Sequence, residues 1–223
     1  MSEGSEQVLQ RYQSDQAARR YAGVHRGRRR HKREEACLRR ALRGLRPGSR
    51  VLDLPCGTGR MFSVLSDLRL DVVAADGSAA MVRAARREAE RHPGIRVVHQ
   101  EDAFKTGFPD RSFDAVVCNR LLHHFREPQD RLAVLRELTR ISRNRVVVSF
   151  FCTHSLEAQR TRLSRALGKK ASERGAIPYT DFHREVESAG LHVQDVVPTL
   201  APISQQWYVV GRRRDAAPLA GPR

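Results

Sequence analysis

The chain reads as an α/β domain with a mainly parallel sheet covered by helices on both faces, and three observations carry that reading. Between residues 50 and 151, short apolar runs of strand type alternate with longer stretches of helical period, the order that βαβ units require. The first run, Val51, Leu52 and Leu54, empties into the close glycines Gly57 and Gly59 and then into a helical stretch from Met61 to Leu65. Such a strand-loop-helix unit lets the backbone turn tightly beside a ligand. The 223 residues suit one domain of this kind with decorations, and a chain of that size buries on the order of 70% of its unfolded surface.

Residues 6–20 form a helical stretch with Val8, Leu9 and Tyr12 on one side, interrupted from Tyr21 to Val24. Residues 26–33, Arg-Gly-Arg-Arg-Arg-His-Lys-Arg, are a basic cluster that runs into a helix at 34–45 with Ala36, Leu38, Ala41 and Leu42 as its inward stripe. The cluster is either a solvated face or an electropositive lid for an anionic substrate. Pro47, Gly48 and Ser49 turn the chain into the first strand, which separates an N-terminal helical arm (1–47) from a core (48–212).

Strand 50–54, helix 61–68, strand 70–75, helix 79–91, strands 95–99 and 113–118, helix 130–141 and strand 145–151 follow, with loops of ordinary length. Residues 152–176 break the alternation: 155–167 read as an Arg-rich helix and 168–175 as a basic loop. A helix at 179–190 has Thr180 as N-cap and Gly190 as its stop. Strands 191–197 and 206–211 complete the sheet, and 213–223, with Pro218 and Pro222, reads as a disordered tail.

The glycine loop is not built for phosphates. A pyrophosphate fingerprint calls for glycine at 57, 59 and 62, where position 62 is Phe; a P-loop calls for Gly-Lys-Ser or Gly-Lys-Thr, which the chain lacks. The loop does carry a carboxylate, Asp53, and Asp76 ends the next apolar run 19 residues after Gly57. That interval is close to the roughly 20 residues that place an acid on ribose hydroxyls, so the pattern favours an adenosine ligand with a cationic partner group. Ligands of such sheets lie outside the carboxyl ends of the strands, and Asp53, Asp76, Asp102, Asn119 and Phe151 fall at or just beyond such ends.

In these motifs the chain, from about residue 50 to 212, resembles the class I S-adenosylmethionine (SAM)-dependent methyltransferases, in particular the ubiquinone/menaquinone-biosynthesis-like "type 11" domain. Asp53 to Gly59 resembles that family's Asp-x-Gly-x-Gly-x-Gly, with Pro55 in place of the first glycine. Asp76 to Met81 resembles its ribose-binding motif, Glu101-Asp102-Ala103 its adenine-binding segment, and Ser112 to Phe125 its fourth strand with the exit to the active site. The resemblance implies a Rossmann-like, doubly wound sheet of seven mostly parallel strands with an antiparallel closing hairpin, and SAM as cofactor.

It also implies a cofactor site made of Asp53, Pro55, Cys56, Gly57, Gly59, Asp76, Gly77, Asp102, Ala103 and Asn119. Asp53 is assigned to the methionyl end through the ammonium or the loop amides, and Gly57 and Gly59 to close backbone approach. Asp76 is assigned to the ribose hydroxyls, and Asp102 to the adenine amino group with Ala103 beside the ring. His123 and His124 follow the fourth strand, where the acceptor is expected; they act as general base, or they belong to a structural turn or touch the methionine carboxylate. Asn119 and Arg120 could line the same wall. In this family the segment before the first strand commonly covers the pocket, which makes Tyr21 a candidate, and the insertion at 152–176 is where substrate contacts are usually added.

The formal net charge of +16 with pI ≈ 11.0 points to nucleic acid, an anionic membrane or acidic small molecules, or else to the Arg- and Ala-rich bias of a GC-rich genome. Cys37, Cys56, Cys118 and Cys152 are widely spread with no Cys-x-x-Cys pair, so neither a zinc site nor a disulfide framework is indicated. His99, His154, His183 and His192 lack metal-ligand spacing and read as surface residues. The polar start of the chain lacks a signal-peptide pattern and no apolar run approaches the ~18 residues of a membrane span, which suggests a reduced, cytoplasmic enzyme. The expected acceptor is a small molecule or a lipid-linked one, methylated at O, N or C. The alternatives are RNA or protein bound by the Arg-rich surface, without an RRM, KH or zinc-finger signature, and a catalytically silent regulator, for which Pro55 is the motive.

Overall fold

Strands β1 (Arg50–Asp53), β2 (Asp71–Asp76), β3 (Ile95–Gln100), β4 (Phe113–Cys118), β5 (Ser142–Phe151), β6 (Leu191–Pro198) and β7 (Gln206–Arg213) form one sheet of seven strands in the order β3-β2-β1-β4-β5-β7-β6. The computed structural model describes residues 13, 14, 16, 18, 19, 29–168 and 175–216. β1 pairs parallel with β2 and β4, β2 with β3, and β4 with β5, whereas β7 runs antiparallel to both β5 and β6. The sheet is thus mostly parallel, Rossmann-like and closed by an antiparallel hairpin. Its strand order reverses between β1 and β4, and a switch point of this kind opens a crevice at the carboxyl ends.

Helices α1 (Arg29–Ala41), α2 (Phe62–Asp67), α3 (Ala79–Ala89), α4 (Pro128–Ile141), α5 (Leu156–Ala166) and α6 (Tyr179–Ser188) follow or flank the strands. The central strands are apolar on both faces because each face is covered. Leu52, Leu54 and Val116 pack with Leu138 of α4 and Phe182 of α6, while Val51 and Val117 pack with Leu38 of α1 and Phe62 and Leu65 of α2.

The largest difference from expectation is α1. It starts at Arg29, Ala36 is exposed, and the inward residues are Glu34, Cys37, Leu38 and Ala41, spaced as one face of a 3.6-residue helix demands. Leu38, Ala41 and Leu42 belong to the same buried cluster as β1 and β2, and Arg145 of β5 donates to the carbonyls of Ala41 (3.1 Å) and Arg43 (2.9 Å). The turn at Pro47 to Ser49 is therefore no boundary of packing. α4 begins two residues early, with Pro128 in its first turn where a missing N–H costs nothing. Thr180 does not cap α6: Pro178 is the residue before it, no side chain caps the end, and the Thr180 hydroxyl faces Asp181 Oδ1 at 3.5 Å. Gly190, at φ +88°, ends that helix region as expected. The helix expected at 6–20 falls largely, and Tyr21, residues 26–28, loop residues 169–174 and tail residues 217–223 fall entirely, outside the described residues.

Candidate active site

β1 delivers Asp53 to the carboxyl edge of the sheet, and β2 delivers Asp76 beside it. Asp76 is clamped: its Oδ2 accepts from the Gly57 amide and its Oδ1 from the Ser78 amide, both at 2.9 Å. The Ser78 hydroxyl in turn accepts from Met81 N at 3.3 Å and caps α3. One carboxylate thus joins the loop after β1 to the loop after β2. The Gly57 amide is spent on this bond. Gly57, at φ +57°, does border the cavity, but Gly59 does not. Gly59 is buried at φ +83°, and a Cβ there would lie 2.7 Å from the Phe62 ring, so its smallness serves the turn and the packing of α2.

Asp53, Pro55, Cys56, Gly57, Asp76 and Gly77 line one side of a single cavity. Asp102, Ala103, Asn119, His123 and His124 line the remainder, so the expected site residues come together with Gly59 as the exception. Pro55 stands half-buried in the wall and the loop around it is open to the cavity. Asp102 Oδ1 accepts from Phe104 N at 3.0 Å, which fixes the turn that carries Ala103. Asn119 Oδ1 accepts from Ser149 Oγ (3.0 Å), Tyr208 OH (3.0 Å) and Gln206 Nε2 (3.2 Å), and three donors on one atom identify it as the oxygen and leave the amide NH2 to donate elsewhere.

Asp53 is the outlier in charge. It is 1% exposed, and neither carboxylate oxygen has a hydrogen-bond partner among the described residues. Burial, followed by the neighbouring Asp76, pushes its carboxyl up to about 8. Asp76 is raised to about 6 by burial, with the Ser78 and Gly57 amides opposing the shift. The same burial raises the Cys56 thiol well above its usual range.

Cations also line the cavity. Arg60 and Arg120 both contact Glu34, a fully buried acid on α1; Arg120 Nη1 lies 3.0 Å from Glu34 Oε1 and 3.4 Å from Gln206 Oε1. Arg120 itself sits at φ +63°, with its amide donating to Ser149 Oγ at 2.7 Å. The roles of Arg60 and Glu34 were missed by sequence reasoning. The signal that could have found Glu34 is an acid standing on the apolar stripe of a helix, in register with Leu38 and Ala41.

His123 and His124 end a short 3-10 turn, Leu122–His124, directly after β4. His123 is buried and stacks flat on Phe151 of β5, with centroids 4.0 Å apart and planes 7° apart, while the half-buried His124 lies tilted 4.3 Å from it. His99, His154, His183 and His192 lie away from this cavity.

Residues 52–150 match the family model described as a methyltransferase domain. The matched stretch is under half of the chain and is similar to that family. Demethylmenaquinone methyltransferase of Renibacterium salmoninarum is 38% identical over 107 residues, 48% of this chain and 44% of that protein. The probable tRNA methyltransferase 9B of Bos taurus is 31% identical over 104 residues, 47% of this chain and 21% of that protein. The chain thus spans less than half the length of these relatives. Magnesium protoporphyrin IX methyltransferase from Synechocystis, solved with bound SAH, matches the fold with a TM-score of 0.75 over 95% of this chain and 100% of that one, at 18% identity. The matched stretch runs from β1 to β5 and holds the cavity at their ends, and the fold likeness extends through the closing hairpin.

Proposed function

We propose that the chain transfers a methyl group from SAM to an O, N or C nucleophile of a small-molecule or lipid-linked acceptor. The observation that carries the proposal is Asp53, a buried carboxylate with both oxygens unsatisfied among the described residues, in a cavity that also holds Asp76 and Asp102. A buried acid without a donor destabilises a protein unless a ligand completes it, and an ammonium group is the complement that fits. In this reading Asp53 holds the methionyl ammonium, Asp76 the ribose hydroxyls through lone pairs beyond those taken by the two amides, and Asp102 with Ala103 the adenine. SAM supplies a methyl group already activated by its sulfonium, so the protein's task is chiefly to hold the nucleophile in line and keep water out. His124, half-buried at the cavity wall, takes the proton of an O–H or N–H acceptor. His123, flat on Phe151, holds the wall behind it.

The acceptor class rests on names: the relatives include a demethylmenaquinone methyltransferase, and the fold neighbour is a magnesium protoporphyrin IX methyltransferase. The second reading, an RNA acceptor, rests on the relative named as a probable tRNA methyltransferase. Calorimetry with SAM tests the first. Saturable binding is expected, with Asp76→Ala weakening it by about tenfold or more, the scale of two lost charge-assisted hydrogen bonds; equal affinity in a folded Asp76→Ala chain overturns the site. Radiolabelled methyl transfer to fractionated small molecules, lipids, RNA and protein then separates the acceptors.

A further inference from the structure

We propose that the surface formed by α5, the turn between β6 and β7, and the first turn of α1 docks on an anionic lipid bilayer. Leu156, Leu163 and Leu167 are 49%, 61% and 64% exposed, and Ile203 is 53% exposed. Positions 156, 163 and 167 recur every seven and four residues, which puts the leucines on one face of α5 and its continuation, while Ala158 on the far side is buried. The turn that carries Ile203 is tied to the first turn of α5: Glu157 N donates to Ile203 O at 3.1 Å and Leu156 N to Pro202 O at 2.9 Å. Large aliphatic side chains gathered on one protruding helix and turn mark a contact surface and not a scatter of surface residues.

Cations surround the stripe. Arg160 falls within it, and Arg162, also exposed, lies round the helix toward Ala158. Arg30 of α1 reaches Glu157 at 3.0 Å and brings the first turn of α1 alongside, with Arg29, Lys32 and Arg33 exposed there. Arg30, Arg39 and Arg40 pair with acids, whereas Arg29, Lys32, Arg33, Arg160 and Arg162 have no acidic partner among the described residues. Aliphatic side chains that enter the acyl boundary, with guanidinium groups level with lipid phosphates, make the pattern of a helix lying in a membrane interface. RNA is the poorer fit, since single strands are held by aromatic stacking and the exposed apolar residues here are aliphatic. No helix among the described residues is long and apolar enough to cross a membrane, so the contact would be peripheral. α5 follows the carboxyl end of β5 and the turn follows that of β6, so the surface lies on the side of the sheet where the cavity opens.

Sedimentation with vesicles tests this without reference to methyl transfer, so its failure would leave the proposed activity standing. The full chain is expected to partition onto 1:1 phosphatidylcholine–phosphatidylglycerol vesicles and at least about tenfold more weakly onto pure phosphatidylcholine. Leu156→Ser, Leu163→Ser and Leu167→Ser combined should lower the partition at least about tenfold, with cooperative thermal unfolding retained as the check on folding. As an independent measurement, Leu163→Cys can be labelled with an environment-sensitive dye, because the native cysteines Cys37, Cys56, Cys118 and Cys152 are all buried. A blue shift of the dye on anionic vesicles supports the proposal. Absence of partition, equal partition onto neutral vesicles or an unshifted dye overturns it.

Discussion

Asp53 is an acid that the fold keeps protonated near neutral pH. Its carboxyl rises from the ordinary range to about 8, so between about pH 4 and pH 8 the folded chain holds a proton that the unfolded chain has released. Stability from this group is complete below about pH 4 and is lost as pH rises through 8; Asp76, raised to about 6, adds to the fall in the lower part of that window. The ligand-free chain is expected to lose melting temperature from pH 5 to pH 8.5, and Asp53→Asn to retain only the part ending near pH 6. A parallel loss in Asp53→Asn would remove Asp53 as the cause. A bound ammonium inverts the preference, so SAM binding at pH 7 should release up to about one proton, read as a dependence of the calorimetric heat on buffer ionisation enthalpy. The acids of this site were legible in the sequence because each sits at the end of an apolar run. Glu34 and Arg60 were not, because their meeting depends on where α1 docks, a contact between residues 26 positions apart in sequence.

At the scale of elements, the glycine loop divides into a cavity-facing half and a packing half. Gly57 borders the cavity, whereas Gly59 meets the Phe62 ring, and both have positive φ. Gly59→Ala is expected to cost about 2 kcal/mol from the left-handed backbone and the overpacked ring, with SAM affinity nearly unchanged. Urea unfolding paired with calorimetry checks both halves of that statement, and a large loss of affinity at unchanged stability would return Gly59 to the cofactor. α1 carries the second prediction at this scale. Removing residues 1–47 strips Leu38, Ala41 and Leu42 from the core around β1 and takes Glu34 from Arg60 and Arg120, leaving buried guanidinium groups without that acid. A chain beginning at residue 48 should fail to fold, seen as lost cooperative unfolding by circular dichroism. Periodicity gives Leu38, Ala41 and Leu42 of the inward face of α1, all buried, but not Glu34 and Cys37, and Ala36 is exposed because the buried acid at 34 disguises where the stripe begins.

At the scale of the molecule, alternation of apolar runs with helical stretches was enough to read the parallel sheet, because right-handed crossovers leave few ways to stack such units. It could not show that the N-terminal helix closes the face of the sheet that covers β7 and β6, since that contact joins the two ends of the chain. Net charge is the property that remains to be assigned, and salt separates its meanings. The cavity charges are buried and little screened, so with a small acceptor, methyl incorporation should change less than about threefold between 50 and 200 mM salt. An acceptor held by six or more phosphate contacts would lose about 10³–10⁵ in affinity over the same range. The formal charge of +16 makes weak retention of RNA at low salt expected under either reading, so retention alone decides nothing. What decides is whether turnover follows retention. If incorporation into the small-molecule fraction stays level while RNA retention collapses, the basic surface is separate from the chemistry of the cavity; if incorporation collapses with it, the acceptor is a polyanion and the small-molecule assignment fails.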